Sequence, residues 1–477
     1  MKRHATFLFG LCVALLNLTA CSGLKTSGGG GGGGGNNNAT LNLTFTDTPP
    51  NGVSILSFDV TLSGVTLNPT SGSTVNIPLT PAPLTVELTR LQSDSLLIGS
   101  FQVPAATYNS ISVTFSASSL TFFNGSGAAI GSCANQTVCT LQSNAATNIS
   151  LATGVFPVTL TSNQQIGLSL DFNLSKAISS SLSVDFSQAG ALAAVKLPRT
   201  GELSNTLDEI EDFTGIVTAL NGNNIKIQSG TRGTITATAG PTTQFDNFDS
   251  ICPSRDITCV KVNQTLSIDS AVNADGTLSI HEADLLDSTA VDEIEGTVFM
   301  TTNSVQFGMV LSEKVVASGD IALTGAVPGN LVTVMLENAT AFDVDQKNLT
   351  IPPGALGSFQ GKSDTSALLN GQTVMVHVTS ATSGGNLVVN TDHVRLRYTR
   401  TTGLVSTSPA AQIFNINSLP AFFGPLSPDP QVETFQSQTV FDGVTDINGL
   451  SVGNTVSIRA LYLRAVPAFY VAKIRKH

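Results

Sequence analysis

The sequence predicts an all-β protein: an N-terminal antiparallel β-sandwich followed by three small β-barrel-like repeats, behind an export signal and a Gly-rich tether. Three observations carry this expectation. Apolar and polar residues alternate at period two through most of the chain, between clusters of Gly, Pro, Asn and Ser. Charged residues make up only 12% while Thr, Ser, Val, Leu and Gly are abundant, which suits strands with hydroxylated faces. Beyond residue 212, three short signals recur three times in the same order.

The first element is a leader over residues 1–20. Met1-Lys2-Arg3-His4 gives a basic start, and residues 7–18 form an apolar run broken by Gly10 and Asn17. That run is shorter than the about 20 residues a membrane span needs, and it has the make-up of an export signal. Leu18-Thr19-Ala20-Cys21 resembles the bacterial lipobox. The resemblance implies a lipoprotein with Cys21 lipidated, palmitate included, as the first mature residue; an ordinary signal peptide with a chance cysteine is the alternative. Residues 21–38 then form a tether with eight consecutive glycines, a coil reaching roughly 20–25 Å. Ser22 stands where inner-membrane lipoproteins often carry Asp, so the resemblance points to the outer membrane.

Formal charge is −11, and about −13 once Lys2 and Arg3 leave with the signal. With no Lys/Arg cluster, the chain is a poor partner for nucleic acid. Cys12 leaves with the leader, so four cysteines remain beyond Cys21, as two close pairs, Cys133/Cys139 and Cys252/Cys259. An exported chain keeps disulfides, and each pair is placed to staple one polar loop. Metal binding is the alternative, but neither pair has C-x-x-C spacing or a nearby histidine.

Residues 39–198 read as the sandwich. Leu41/Leu43/Phe45, Leu56/Phe58/Val60/Leu62, Leu84/Val86/Leu88, Ile111/Val113/Phe115 and Ile166/Leu168/Leu170/Phe172/Leu174 each alternate with polar neighbours. Seven or more such strands without a convincing helix point to a sandwich. Asp47, Asp59 and Asp171 are conceivable cation ligands, although Asp47 beside a Pro-rich turn more simply bonds local amides. Thr46-Asp47-Thr48-Pro49, Val103-Pro104-Ala105-Ala106-Thr107-Tyr108 before Ile111-Ser112-Val113, and Leu170-Asp171-Phe172 resemble the bacterial lipoprotein domain-of-unknown-function 4382. That family usually has Gly where Thr107 stands. The resemblance implies an exported β-sandwich and no activity.

Residues 199–212 are polar and acidic and read as a linker, with a short helical turn after Ser204. Three repeats follow, over 213–290, 291–399 (with an insertion near 346–366) and 400–477. Phe213-Thr214-Gly215-Ile216-Val217 returns as Ile294-Glu295-Gly296-Thr297-Val298 and as Thr401-Thr402-Gly403-Leu404-Val405. Thr243-Gln244-Phe245-Asp246 returns as Thr340-Ala341-Phe342-Asp343 and as Thr439-Val440-Phe441-Asp442. Asn263-Gln264-Thr265-Leu266 returns as Gly371-Gln372-Thr373-Val374 and as Gly453-Asn454-Thr455-Val456. The glycine of each unit lets a strand bend as a small closed barrel requires. This pattern resembles a second exported module, domain-of-unknown-function 5666, whose units are small β-barrel-like domains.

The Phe-Asp turns, Asp246/Asp249, Asp343/Asp345 and Asp442/Asp446, are the recurrent polar feature. Two carboxylates at variable spacing are too few for the six to eight oxygens calcium takes. The expectation is therefore no metal, with Asp246, Asp343 and Asp442 as weak candidates that cap turns while Phe245, Phe342 and Phe441 fill the core. His281-Glu282 lacks the second histidine of a zinc-protease motif, because Leu285 stands there, and Gly361-Lys362-Ser363 lacks the first glycine of a phosphate loop. His377 and His393 lie in alternating strands, and Lys473, Arg475 and Lys476 read as a solvated end.

The resulting expectation is a non-catalytic cell-envelope lipoprotein without cofactors. It meets the membrane through its lipid and meets envelope proteins or glycans through broad surfaces, with the repeats as a stalk. The alternative is a carbohydrate-binding lipoprotein using loops of the sandwich. Sugar platforms stack on exposed aromatics, and the chain has no Trp, four Tyr, and the pairs Phe122-Phe123 and Phe422-Phe423 to offer.

Overall fold

The alternation of Leu41, Leu43 and Phe45 places three side chains on one face of a strand, Asn38–Thr48, and all three are fully buried. This is a computed structural model, and it describes residues 37–48, 54–143, 147–179, 181–198, 206–464 and 468–477. The leader, Cys21, nearly all of the tether and Pro49 lie outside the described residues.

Asn38–Thr48 sits inside a four-stranded sheet with Leu96–Pro104 on one side and Gln165–Asn173, then Leu192–Leu197, on the other. The facing sheet is built on the long pair Ile55–Pro69 and Thr107–Phe123. Phe45, Phe115, Phe172 and Phe186 interlock between the sheets, Phe115 stacking on Phe186 at 4.8 Å. The chain is all-β, as its alternation requires. One pairing departs from the expected antiparallel sandwich: Asn38–Thr48 runs parallel to Gln165–Asn173. The intervening chain crosses to the second sheet and back, which supplies the long connection that parallel neighbours need.

The polar side of the first strand is also buried. Asn42, Thr44 and Thr46 are at most 2% exposed. Asn42 Nδ2 donates to the Ala274 carbonyl at 2.7 Å and Thr44 Oγ1 to Asp208 Oδ2 at 2.8 Å. A hydroxylated face that alternation alone assigns to water is instead docked on the first repeat.

Each repeat is built on a ring of five strands, to which the second adds Ser380–Ser383 and the third adds Val440–Asp442. In the first, Thr206–Asn221, Asn224–Ser229, Gly233–Asp246, Thr265–Asn273 and Leu278–Asp287 close into a barrel. In module order the strands run one-two-three-five-four, with the third and fifth parallel. Parallel pairing of Leu331–Val344 with Leu387–Arg397 closes the second module in the same way, and Gln431–Thr434 with Ala468–Lys476 closes the third. This is the five-stranded Greek-key barrel topology of the OB type, a scaffold that by itself assigns no ligand.

The recurrent glycine has a steric cause. A Cβ on Gly215 would stand 2.3 Å from the Gln228 carbonyl oxygen, one on Gly296 2.3 Å from that of Val310, and one on Gly403 2.8 Å from that of Asn417. In each module the second strand crosses the first too closely for any side chain. The two expected disulfides, Cys133–Cys139 and Cys252–Cys259, are formed. The hairpins at 273–276 and 383–386 precede the closing strands of the first two modules.

Two expectations are corrected here. The linker expected over 199–212, with its helical turn, is strand from Thr206 onward. The modules also do not stand in a row as a stalk. Leu461, Leu463 and Ala468 of the third module pack into the second module's core, and Leu56 of the sandwich packs into the third module's core.

Candidate functional site

The chain carries few charges, yet it places many of them inside. Arg90, Arg232, Lys347, Arg397, Arg400, Arg459, Lys473 and Arg475 all have side chains no more than 10% exposed. They converge where the sandwich and the three modules meet. Desolvating an ion costs several kcal/mol, so such a centre stands only if charges match closely.

Asp212 is its middle. Its carboxylate meets Arg459 at 2.7 Å, Arg400 at 2.7 Å, Lys347 at 2.8 Å and Arg397 at 3.6 Å. Burial alone would raise its pKa, but Arg459, Lys347, Arg400 and Arg397 together hold the carboxyl well below the usual range. Around it, Asp269 takes Lys347 at 2.8 Å and Arg459 at 3.1 Å, and Glu295 takes Arg90 at 2.7 Å and Arg397 at 3.1 Å. Lys473 bridges Glu209 at 3.0 Å and Glu211 at 3.3 Å.

The units contribute different sets of charges. The first module brings Glu209, Glu211, Asp212 and Asp269, while the third brings Arg400, Arg459, Lys473 and Arg475. The second brings Glu295, Arg397 and, from its insertion, Lys347, whose neighbour Gln346 accepts from the Tyr398 hydroxyl at 2.7 Å. The sandwich inserts the turn 89–95, in which Ser93, Asp94 and Ser95 are fully buried. Arg90 reaches Glu295 and Glu313 there, and Asp94 receives Arg232 at 3.3 Å. Similar barrels thus become non-interchangeable, because each offers a different charge to the centre.

The expected Phe-Asp residues land at one shared register. Asp246 lies opposite Asp284, Asp343 opposite Arg395 and Asp442 opposite Arg475 on the closing strands. Asp343 is paired with Arg395 at 3.1 Å and His393 at 3.0 Å, and Asp442 with Arg475 at 2.5 Å. These two are ion-pair partners rather than the expected turn caps. Of the second acids, Asp249 pairs with exposed Arg255, Asp345 with buried Arg397, and Asp446 caps the short helix Ile447–Gly449. Phe245 and Phe342 are buried as expected, and Phe441 is half-buried.

The first module is the exception. Two residues earlier on the closing strand, its Glu282 stands where the others have His393 and Lys473. Asp246, Glu282 and Asp284 therefore come together, one carboxylate oxygen from each lying within 4.8 Å of the other two. Burial first, then Asp284, pushes Glu282 up to about 10. Burial, followed by Asp345, holds Asp284 well above the usual carboxylate range.

Several other expectations are overturned. Lys473 and Arg475, expected as a solvated end, are 4% and 7% exposed inside the centre, while Lys476 only donates to the Gly449 carbonyl at 3.1 Å. Asp47 is 1% exposed, and neither carboxylate oxygen has a hydrogen-bond partner among the described residues, which leave out 49–53 of the adjoining turn. Asp171 accepts from the Thr48 hydroxyl at 3.2 Å. Phe122, Phe422, Phe423 and all four tyrosines are buried and Phe123 is half-buried, so the aromatic platform for sugar loses its residues.

A cleft of about 670 Å³ opens between the sandwich and the first two modules. Asp59, Thr61, Ser119 and Gln142 line one side, Arg232 and Lys314 the other. Burial, then Glu87, pushes Asp59 up to about 8. Lys314 is committed to structure, its ammonium donating to the carbonyls of Leu323, Thr324 and Ala326. Reading the sequence alone missed the central charges because they are scattered singly over almost 400 positions. The closing strands did carry a signal: aligned, they read Glu282/Asp284, His393/Arg395 and Lys473/Arg475.

Residues 38–196 match the family model described as Domain of unknown function (DUF4382), which fits the sandwich and its expected motifs. No curated protein matches the chain. No helix among the described residues is long and apolar enough to cross a membrane.

Proposed function

We propose that the protein is an exported, lipid-anchored component of the bacterial envelope, held at the outer membrane through Cys21. In this reading the sandwich and three modules serve as one non-catalytic body for contact with envelope proteins. The observation that supports it is the destination of the charged groups. Most of the buried arginines and lysines are engaged in ion pairs, many of them between one unit and another. His377 and His393 are paired to Asp392 and Asp343, away from the cleft. The leader, Cys21 and the tether supply the anchoring half of the proposal.

The test is labelling of the full chain in a bacterial host with radioactive palmitate, followed by membrane fractionation. The wild type should carry label and sediment with outer membrane, and Cys21→Ala should lose the label. An unlabelled wild type, or a Cys21→Ala protein that still carries label, overturns the anchor.

Glycan binding stays as a second reading because of the cleft, whose hydroxyl-rich wall suits polar ligands without an aromatic platform. A screen against envelope glycans, peptidoglycan included, separates the two. Saturable binding lost on substituting Gln142 and Thr61 favours the glycan reading, and a blank from folded protein favours protein contact.

A further inference from the structure

The three modules place the same backbone positions side by side, and two of them solve one electrostatic problem identically. A carboxylate, Asp343 or Asp442, pairs across from a guanidinium on the closing strand, Arg395 or Arg475. The first module keeps the carboxylate, Asp246, and replaces the guanidinium with Asp284. It also puts Glu282 where the sisters carry His393 and Lys473. Three negative groups occupy a place built, in this same chain, around positive charge.

Several carboxylate oxygens there lack a hydrogen-bond partner among the described residues. Glu282 is 6% exposed and Asp284 fully buried, yet Glu282 Oε1 and both oxygens of Asp284 lack a hydrogen-bond partner among the described residues, as does Asp246 Oδ2. An unmet buried carboxylate is expensive, and natural interiors rarely keep one. Lys347 does not answer the need. Its ammonium is 3.5 Å from Asp284 but 2.8 Å from both Asp212 and Asp269, so one charge is shared among several acids.

We propose that Asp246, Glu282 and Asp284 bind one hard divalent cation, calcium by their span, which stands in the first module where an arginine stands in the other two. The donors are all carboxylate oxygens, the ligand type of hard cations. Their separation, within 4.8 Å, matches oxygens that share a calcium at about 2.3–2.6 Å each. The half-buried Asp246 gives the ion a way in, and water completes the shell from that side.

Calorimetric titration of the full chain, stripped with chelator, against calcium, magnesium and manganese tests this, read together with thermal unfolding. The wild type should bind one calcium and unfold at higher temperature with it. Glu282→Gln should bind at least tenfold more weakly, and Asp284→Arg, which copies the sister modules, should neither bind nor respond. Asp343→Asn should bind as wild type does. If Asp284→Arg fails to fold, Glu282→Gln decides alone. No saturable binding by the wild type, or unchanged binding in Glu282→Gln, overturns the site. A preference for magnesium or manganese over calcium overturns the assignment of the ion.

Discussion

Asp212 and Arg459 are 247 positions apart in the chain and 2.7 Å apart in the fold, joined by two charge-assisted hydrogen bonds. Asp212 sits in the opening strand of the first module and Arg459 in Thr455–Leu463 of the third. Their pairing, with Arg400, Lys347 and Arg397 on the same carboxylate, is what makes three similar barrels and a sandwich one body.

Breaking that pair from one side leaves buried charge unanswered. Asp212→Ala should lower unfolding free energy by about 3–5 kcal/mol, and Arg459→Met by a comparable amount. The double variant should cost less than the sum of the two, because neither partner is then stranded. Denaturant unfolding of all four proteins measures this.

Gly296 carries a second prediction. Its replacement by Ala forces a methyl to within 2.3 Å of the Val310 carbonyl oxygen and should cost about 1–3 kcal/mol. At Gly354 nothing lies within 4 Å of the place a methyl would take, so Ala there should be tolerated to within about 0.5 kcal/mol. Equal effects at both sites, measured by thermal unfolding, would remove the steric account of the recurrent glycine.

Asp59 ties stability to pH. Its folded pKa is raised from 3.8 to about 8, by burial first and Glu87 second. A carboxyl raised on folding contributes stability that is fully present below about pH 3.8 and is lost as pH rises through about 8. Asp59→Asn should therefore gain stability relative to wild type as pH rises from 4 to 8, an interval over which stability curves of the two proteins are to be compared.

The Cys252–Cys259 bridge closes a short loop, with a sequence separation of 7. Chain entropy assigns a loop of this size about 2–3 kcal/mol. Replacing both cysteines by Ser should lower unfolding free energy by that amount, with reduction of the wild type acting in the same direction.

Much of the fold was legible because local rules decide it. Period-two alternation found the strands around Leu43, Val60 and Leu170, and the glycine, Phe-Asp and polar-turn signals found the three modules. Cysteine spacing paired the disulfides. What stayed hidden depends on contacts between distant segments. Glu209, Glu211 and Asp212 read as linker because acidic residues ordinarily seek water, and only the cations of the third module bring them inside. Lys473 and Arg475 read as a solvated end for the same reason. Asn42 and Thr44 sit on a face that alternation gives to solvent and docking gives to the first module. The parallel pairing of the first strand follows from the crossover between sheets, which no local pattern encodes.

Hydrogen exchange on Asp212→Asn, mapped by peptide against wild type, tests most directly that these charges hold the four units as one body. Protection should fall in Thr399–Val405 and Thr455–Leu463 of the third module and in the sandwich turn 89–95, as well as in Thr206–Asn221, where the substitution lies. Loss confined to Thr206–Asn221 would contradict the account, because the units would then be held by their apolar contacts and the central charges would be passengers.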